Sequence, residues 1–132
     1  MKHISMKCSL LIAAIFCFCS FASAQSQADK IVGKWLKMPK QDLIIEVYPS
    51  GSGYNGKIAW SADNTKPKGY VILENLQFDD DNNSWENGRI HDPRSGSQYK
   101  AAAKLKEDGM LEVLGYKGIK IIGSKRSFRR VK

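Results

Sequence analysis

Few residues in this chain could carry out bond chemistry. Past residue 24 the sequence holds one histidine, His91, next to Asp92, and no cysteine. A histidine and a carboxylate could form a base and its orienting partner for nucleophilic catalysis, but neighbours on a strand point to opposite faces, so this pair works only if the strand breaks between them. Asp92 has a sufficient role without catalysis, as the capping residue of the turn Asp92-Pro93-Arg94-Ser95-Gly96. Asp79, Asp81 and Asn83 have the start of a calcium-loop spacing, yet Ser84 stands where the glycine should and Ile90 where the bidentate glutamate should, which makes them an acidic hairpin tip. There is no phosphate-cradling glycine loop and no set of histidines at ligand spacing. The expectation is no catalytic residue, no metal and no cofactor, hence a non-enzymatic protein.

What remains is binding. Tyr99, Ala101, Ala103 and Leu105 alternate with Gln98, Lys100, Ala102 and Lys104, which gives one apolar and one solvated face. Two alanines in succession on the apolar face leave room, so Tyr99, Ala101, Ala103 and the aromatic Trp60 are the expected contacts of a small apolar or amphipathic ligand. The competing reading is that Trp35, Trp60, Trp85 and Phe128 fill that space as core. A second binding surface is suggested by charge: Lys117 to Lys132 carries seven Lys or Arg and no acid. Lys125, Arg126 and Arg129 are then the expected contacts to an anionic envelope lipid, a polysaccharide or an acidic protein, against the plainer alternative of a solvated face. Nucleic acid is not an expected partner of an exported chain.

The elements that must position these residues are strands. The turn at Asp92 to Gly96 joins a strand from Trp85 to one that ends at Leu105. Earlier strands are expected at Val32 to Leu36, Leu43 to Tyr48, Tyr54 to Trp60 and Tyr70 to Phe78, and later ones at Met110 to Tyr116 and Lys125 to Val131. Trp85 and Ile90 are an odd number apart and share a face only if the strand is bulged, for which Gly88 is the natural place. No segment has helical periodicity between capping signals. About eight short strands in uniformly short hairpins predict a single all-β, antiparallel up-and-down barrel, with an oligonucleotide-binding barrel as the alternative that would leave strands unplaced.

Lys2 and Lys7 precede an apolar run from Leu10 to Phe21 and the small-x-small motif Ala22-Ser23-Ala24, the pattern of a cleaved signal peptide over residues 1–24. The run is too short to span a membrane, which takes about 20 residues. The expected product is a periplasmic or secreted domain, residues 25–132, that keeps none of the three cysteines. Its 19 basic and 13 acidic residues give a net charge of +6.

Several pieces together form a specific pattern: Gly33-Lys34-Trp35, Gly56-Lys57-Ile58-Ala59-Trp60, Gly88-Arg89-Ile90-His91-Asp92-Pro93, Leu111 to Ile119, and Phe128-Arg129-Arg130-Val131. In these the chain resembles the bacterial domain of unknown function 2147 family. It departs from that pattern in a shorter loop after Trp60 and in Phe128, where the family usually has Trp. The resemblance implies a lipocalin-like (calycin-like) barrel. It also implies a closure in which Gly33 and Trp35 on the first strand meet Phe128 and Arg130 on the last, the guanidinium lying over the indole.

Overall fold

The computed structural model describes residues 27–63, 66–120 and 123–132, so the expected signal peptide and the cysteines lie outside the described residues. The chain divides into two compact units, residues 1–30 and 31–132, and the barrel belongs to the second. A short 3-10 turn, η1 (Asp29–Ile31), precedes eight strands: β1 (Gly33–Met38), β2 (Leu43–Ser50), β3 (Gly53–Ser61), β4 (Val71–Asp79), β5 (Ser84–His91), β6 (Gln98–Leu105), β7 (Leu111–Tyr116) and β8 (Ser124–Arg130). Every strand pairs with its sequence neighbour, and β8 returns to β1, so the sheet is a closed antiparallel barrel. Closure leaves no strand edge exposed. No described helix is long and apolar enough to cross a membrane.

Alternation builds each wall. In β2, Leu43, Ile45 and Val47 are buried and the residues between them are not, so one face of the strand supplies the core. Four register shifts change the phase along the described strands. In β5 the register passes from Trp85↔Ala103 to Gly88↔Ala101, one extra residue on β5, and this brings Trp85 and Ile90 to the same face. The left-handed residue of that bulge is Asn87 (φ 61°), while Gly88 is buried for a different reason: a Cβ there would stand 2.6 Å from Leu76 Cδ2. In β3 the register passes from Ile45↔Ile58 to Ile44↔Trp60, and the extra residue is Ala59. Between β3 and β4 it shifts on both sides of Gly56.

The two ends of the barrel differ. At the end formed by the β2–β3, β4–β5 and β6–β7 turns, Trp35, Val47, Tyr54, Leu76 and Trp85 are all buried. The Trp35 indole N–H donates to Ile31 O at 2.9 Å, and Phe78 lies 5.1 Å from Trp85 between ring centroids. This end is solid. The other end is ringed by the β1–β2, β3–β4, β5–β6 and β7–β8 loops, and it opens into a cavity.

Candidate functional site

The cavity occupies about 680 Å³ at the loop-ringed end. This is within the usual range of small-molecule sites, about 300–1,000 Å³. Its floor is apolar and its rim cationic. Leu43, Ile72, Ile90, Val113 and Phe128 supply the floor, and Tyr99 supplies an aromatic wall. Register brings most of them to one face, Ile90 opposing Tyr99 and Leu73 and Phe128 opposing Leu111 and Lys37, while Ile72 is the extra residue of a β3–β4 register shift. Gly115 also lines the cavity, and because it has no side chain the wall of β7 recedes there.

The charges come from two levels. Lys37 on β1 and Arg126 on β8 occupy inward-facing positions, two residues from the buried Trp35 and Phe128 respectively. Above them the loops carry Lys40, Lys66, Arg94 and Lys117 to the same opening, against the carboxylates of Asp42 and Asp92. Asp92 is turned into its own hairpin: its Oδ1 accepts the Arg94 N–H at 2.8 Å, its carbonyl accepts the Gly96 N–H at 2.9 Å, and Gly96 has φ 72°. The Arg94 N–H donated to its carboxylate holds the Asp92 carboxyl below its ordinary pKa. Arg94 pairs with Asp63 at 3.1 Å, linking the β5–β6 and β3–β4 loops at the rim. Lys117 stands 4.9 Å over the Tyr99 ring. Among the described residues neither Lys37 nor Arg126 takes part in a salt bridge. Burial lowers the pKa of Lys37; Asp42 opposes that shift, and Lys66, Arg126 and Lys40 add to it. The cavity is a positive field in a half-enclosed, partly apolar space.

The structure distributes the sequence-derived site residues over several places. Tyr99 lines the cavity. Ala101 and Ala103 face inward but are 0% and 3% exposed and lie below the cavity, where Ala103 opposes Trp85 and the floor residue Val113, and Ala101 opposes Gly88 and Gly115. The room left by the alanines is taken up beside the indole, so neither residue lines the cavity. Trp60 is a correction: the extra residue Ala59 turns it from the inward to the outward face, where it is 47% exposed and shares its face with Ile44. The cationic stretch of β8 is a second correction, because alternation splits it. Arg126 points to the cavity, while Lys125 and Arg129 are on the outside, with Lys125 3.9 Å from Glu112. These three cations do not form one surface.

At the solid end Arg130 lies 4.3 Å over the Trp35 ring and donates from Nη1 to Val32 O at 3.0 Å. Gly33 has φ +134°, and a Cβ on it would come within 2.8 Å of that same Nη1. Phe128 is buried two residues away and forms part of the cavity floor. His91 points outward at the rim, with Nε2 3.1 Å from Glu74 Oε2. Asp79 accepts the backbone N–H groups of Asp81 and Asn82 and the Asn82 side-chain amide, which commits its carboxylate to the turn. Sequence reasoning missed Lys37, Lys66 and Ile90 as lining residues, and treated Arg126 as surface. For Lys37 and Arg126 the signal was present as parity with Trp35 and Phe128.

Comparison with known proteins agrees with this geometry. A solved structure of a protein from the human pathogen Helicobacter pylori, described as belonging to the lipocalin family, superposes with a TM-score of 0.64 at 14% identity, covering 77% of this chain and 83% of that one. At that identity the likeness is one of fold. No curated protein matches the chain. Residues 33–130, the whole of the barrel from the first glycine of β1 to the arginine over Trp35, match the signature of a bacterial family, and the chain belongs to that family, described as "Uncharacterized protein conserved in bacteria (DUF2147)".

Proposed function

We propose that this protein is an exported, non-enzymatic binding protein that holds a small molecule with an apolar body in the mouth of its barrel. The observation that carries the reading is the contrast between the two ends: one is packed with Trp35 and Trp85, and the other keeps about 680 Å³ over an apolar floor. A barrel of eight strands is just wide enough to be filled by its own side chains. Space left over in one half, with apolar walls, favours a resident molecule. Export rests on the leader pattern of residues 1–24.

A neutral fluorescent probe, N-phenyl-1-naphthylamine, tests the reading. Saturable uptake at one site, insensitive to salt and abolished by filling the floor with Val113→Trp, is the expected outcome. Wild-type protein that takes up no probe, or a Val113→Trp protein that binds it unchanged, would contradict a ligand seat at this end.

A further inference from the structure

We infer that the molecule in this cavity is an anionic amphiphile, a single chain ending in a carboxylate or phosphate, whose head group is held between Lys37 and Arg126 while its chain lies on the apolar floor. This deepens the proposed function and rests on it. The inward position of both cations is the starting point. A strand face that closes a barrel normally carries apolar residues, yet the half-buried Lys37 and the exposed Arg126 stand on this one. Here β1 and β8, adjacent in the barrel, each place a cation on the inner face, Lys37 directly opposite Phe128 and Arg126 two residues before it. Among the described residues neither has a carboxylate within salt-bridge distance. Lys66 and Lys40 add positive charge from the loops, and Asp42 is the one acid beside Lys37 that is not engaged in its own turn. Burial is the first cause of the lowered pKa of Lys37 and Asp42 opposes it; the further lowering by Lys66, Arg126 and Lys40 is the part that a negative head group would offset.

The polarity of the site fixes the ligand's orientation. Apolar side chains lie toward the packed half and cations toward the mouth, so a neutral apolar molecule would leave both cations without a counter-charge and a small free anion would leave the floor bare. In the first case Arg126 would keep its hydrogen bonds from Nη1 to Ser124 Oγ at 2.5 Å and Lys125 O at 3.1 Å. With Nη1 held by Ser124 Oγ and Lys125 O, Arg126 offers its remaining guanidinium donors to a head group, and Lys37 a compact charge beside it.

Displacement of N-phenyl-1-naphthylamine by four ligands with the same dodecyl chain separates the parts. Dodecanoate and dodecyl phosphate should displace it at least about tenfold better than dodecanol or dodecylamine. That preference should fall by about tenfold in Lys37→Met and again in Arg126→Gln, be retained in Lys37→Arg, and be unchanged in Lys100→Gln on the outer face. Retained probe uptake in each variant shows that the barrel is folded. Equal displacement by all four ligands, or a preference that survives in the Lys37→Met, Arg126→Gln double variant, overturns the inference and leaves the binding reading standing. Inorganic phosphate competing as well as dodecyl phosphate also overturns it, since the head alone would then suffice. No uptake of the neutral probe by wild type removes the binding reading itself, and this inference with it.

Discussion

Replacing Arg130 by alanine should cost more stability than any other single change to an exposed arginine of this chain. Its guanidinium covers the indole of Trp35 at 4.3 Å and donates to Val32 O at 3.0 Å, and both contacts join β8 to β1 where the barrel closes. The stacking contributes about 0.5–2 kcal/mol, and a charged donor to a carbonyl about 1.5–3 kcal/mol at best. Arg130 is exposed, which places both near their lower limits and the total near 2 kcal/mol. In a domain of this size each kcal/mol moves the melting temperature by about 4–8 °C, so Arg130→Ala should lower Tm by about 8–16 °C. Arg129→Ala, whose side chain leaves the opposite face of β8, should stay within about 0.5 kcal/mol of wild type. Thermal and urea unfolding followed by circular dichroism give both values. Gly33→Ala adds a cross-check, because its Cβ would meet Arg130 Nη1 at 2.8 Å. Part of its cost should vanish in the Arg130→Ala background, and the part due to φ +134° should remain. Equal losses for Arg129→Ala and Arg130→Ala would refute the closure.

Three further outcomes follow from the same geometry. Ala103→Leu should destabilise by about 1–3 kcal/mol without changing probe uptake, since Ala103 is 3% exposed opposite Trp85 and below the cavity; an unaffected melting point with lost uptake would move the ligand to the solid end. Lys37 should give the apo-protein a pH signature: burial lowers its folded pKa, so the unfolded chain holds the proton more tightly and stability rises with pH between the lowered and the ordinary value. Difference unfolding curves of wild type and Lys37→Met across that alkaline window should show the rise only in wild type. Intact mass of the protein from an envelope fraction should correspond to a chain beginning at Gln25, and a mass retaining Leu10 to Phe21 would contradict export.

Strand positions and connectivity were legible because they depend on local patterns. The Asp92 to Gly96 turn, the alternation of β2 and the phase conflict between Trp85 and Ile90 each point to their structural outcome within a few residues, whereas Ala102 of β6, expected on the solvated face, is buried. The candidate site was legible only in part. Ala59 carries no mark of a bulge, having neither the freedom of glycine nor the left-handed tolerance of asparagine, so the outward turn of Trp60 was hidden. The distribution of empty space was hidden too, because Ala103 beside Trp85 and Gly115 near Ile90 look alike until register decides which small residue faces a large one. The cations of β8 read as one patch from composition, although simple alternation already separated Arg126 from its neighbours Lys125 and Ser127.

The most direct test of a ligand seat in the barrel mouth is the map of backbone amide chemical shifts as dodecanoate is titrated into the labelled protein. Saturating shifts at Lys37, Ile90, Gly115 and Arg126, with Trp35, Ala103 and the outward Ala102 unmoved, are expected. Shifts confined to the outer face, or none at any of the four mouth residues, would contradict it.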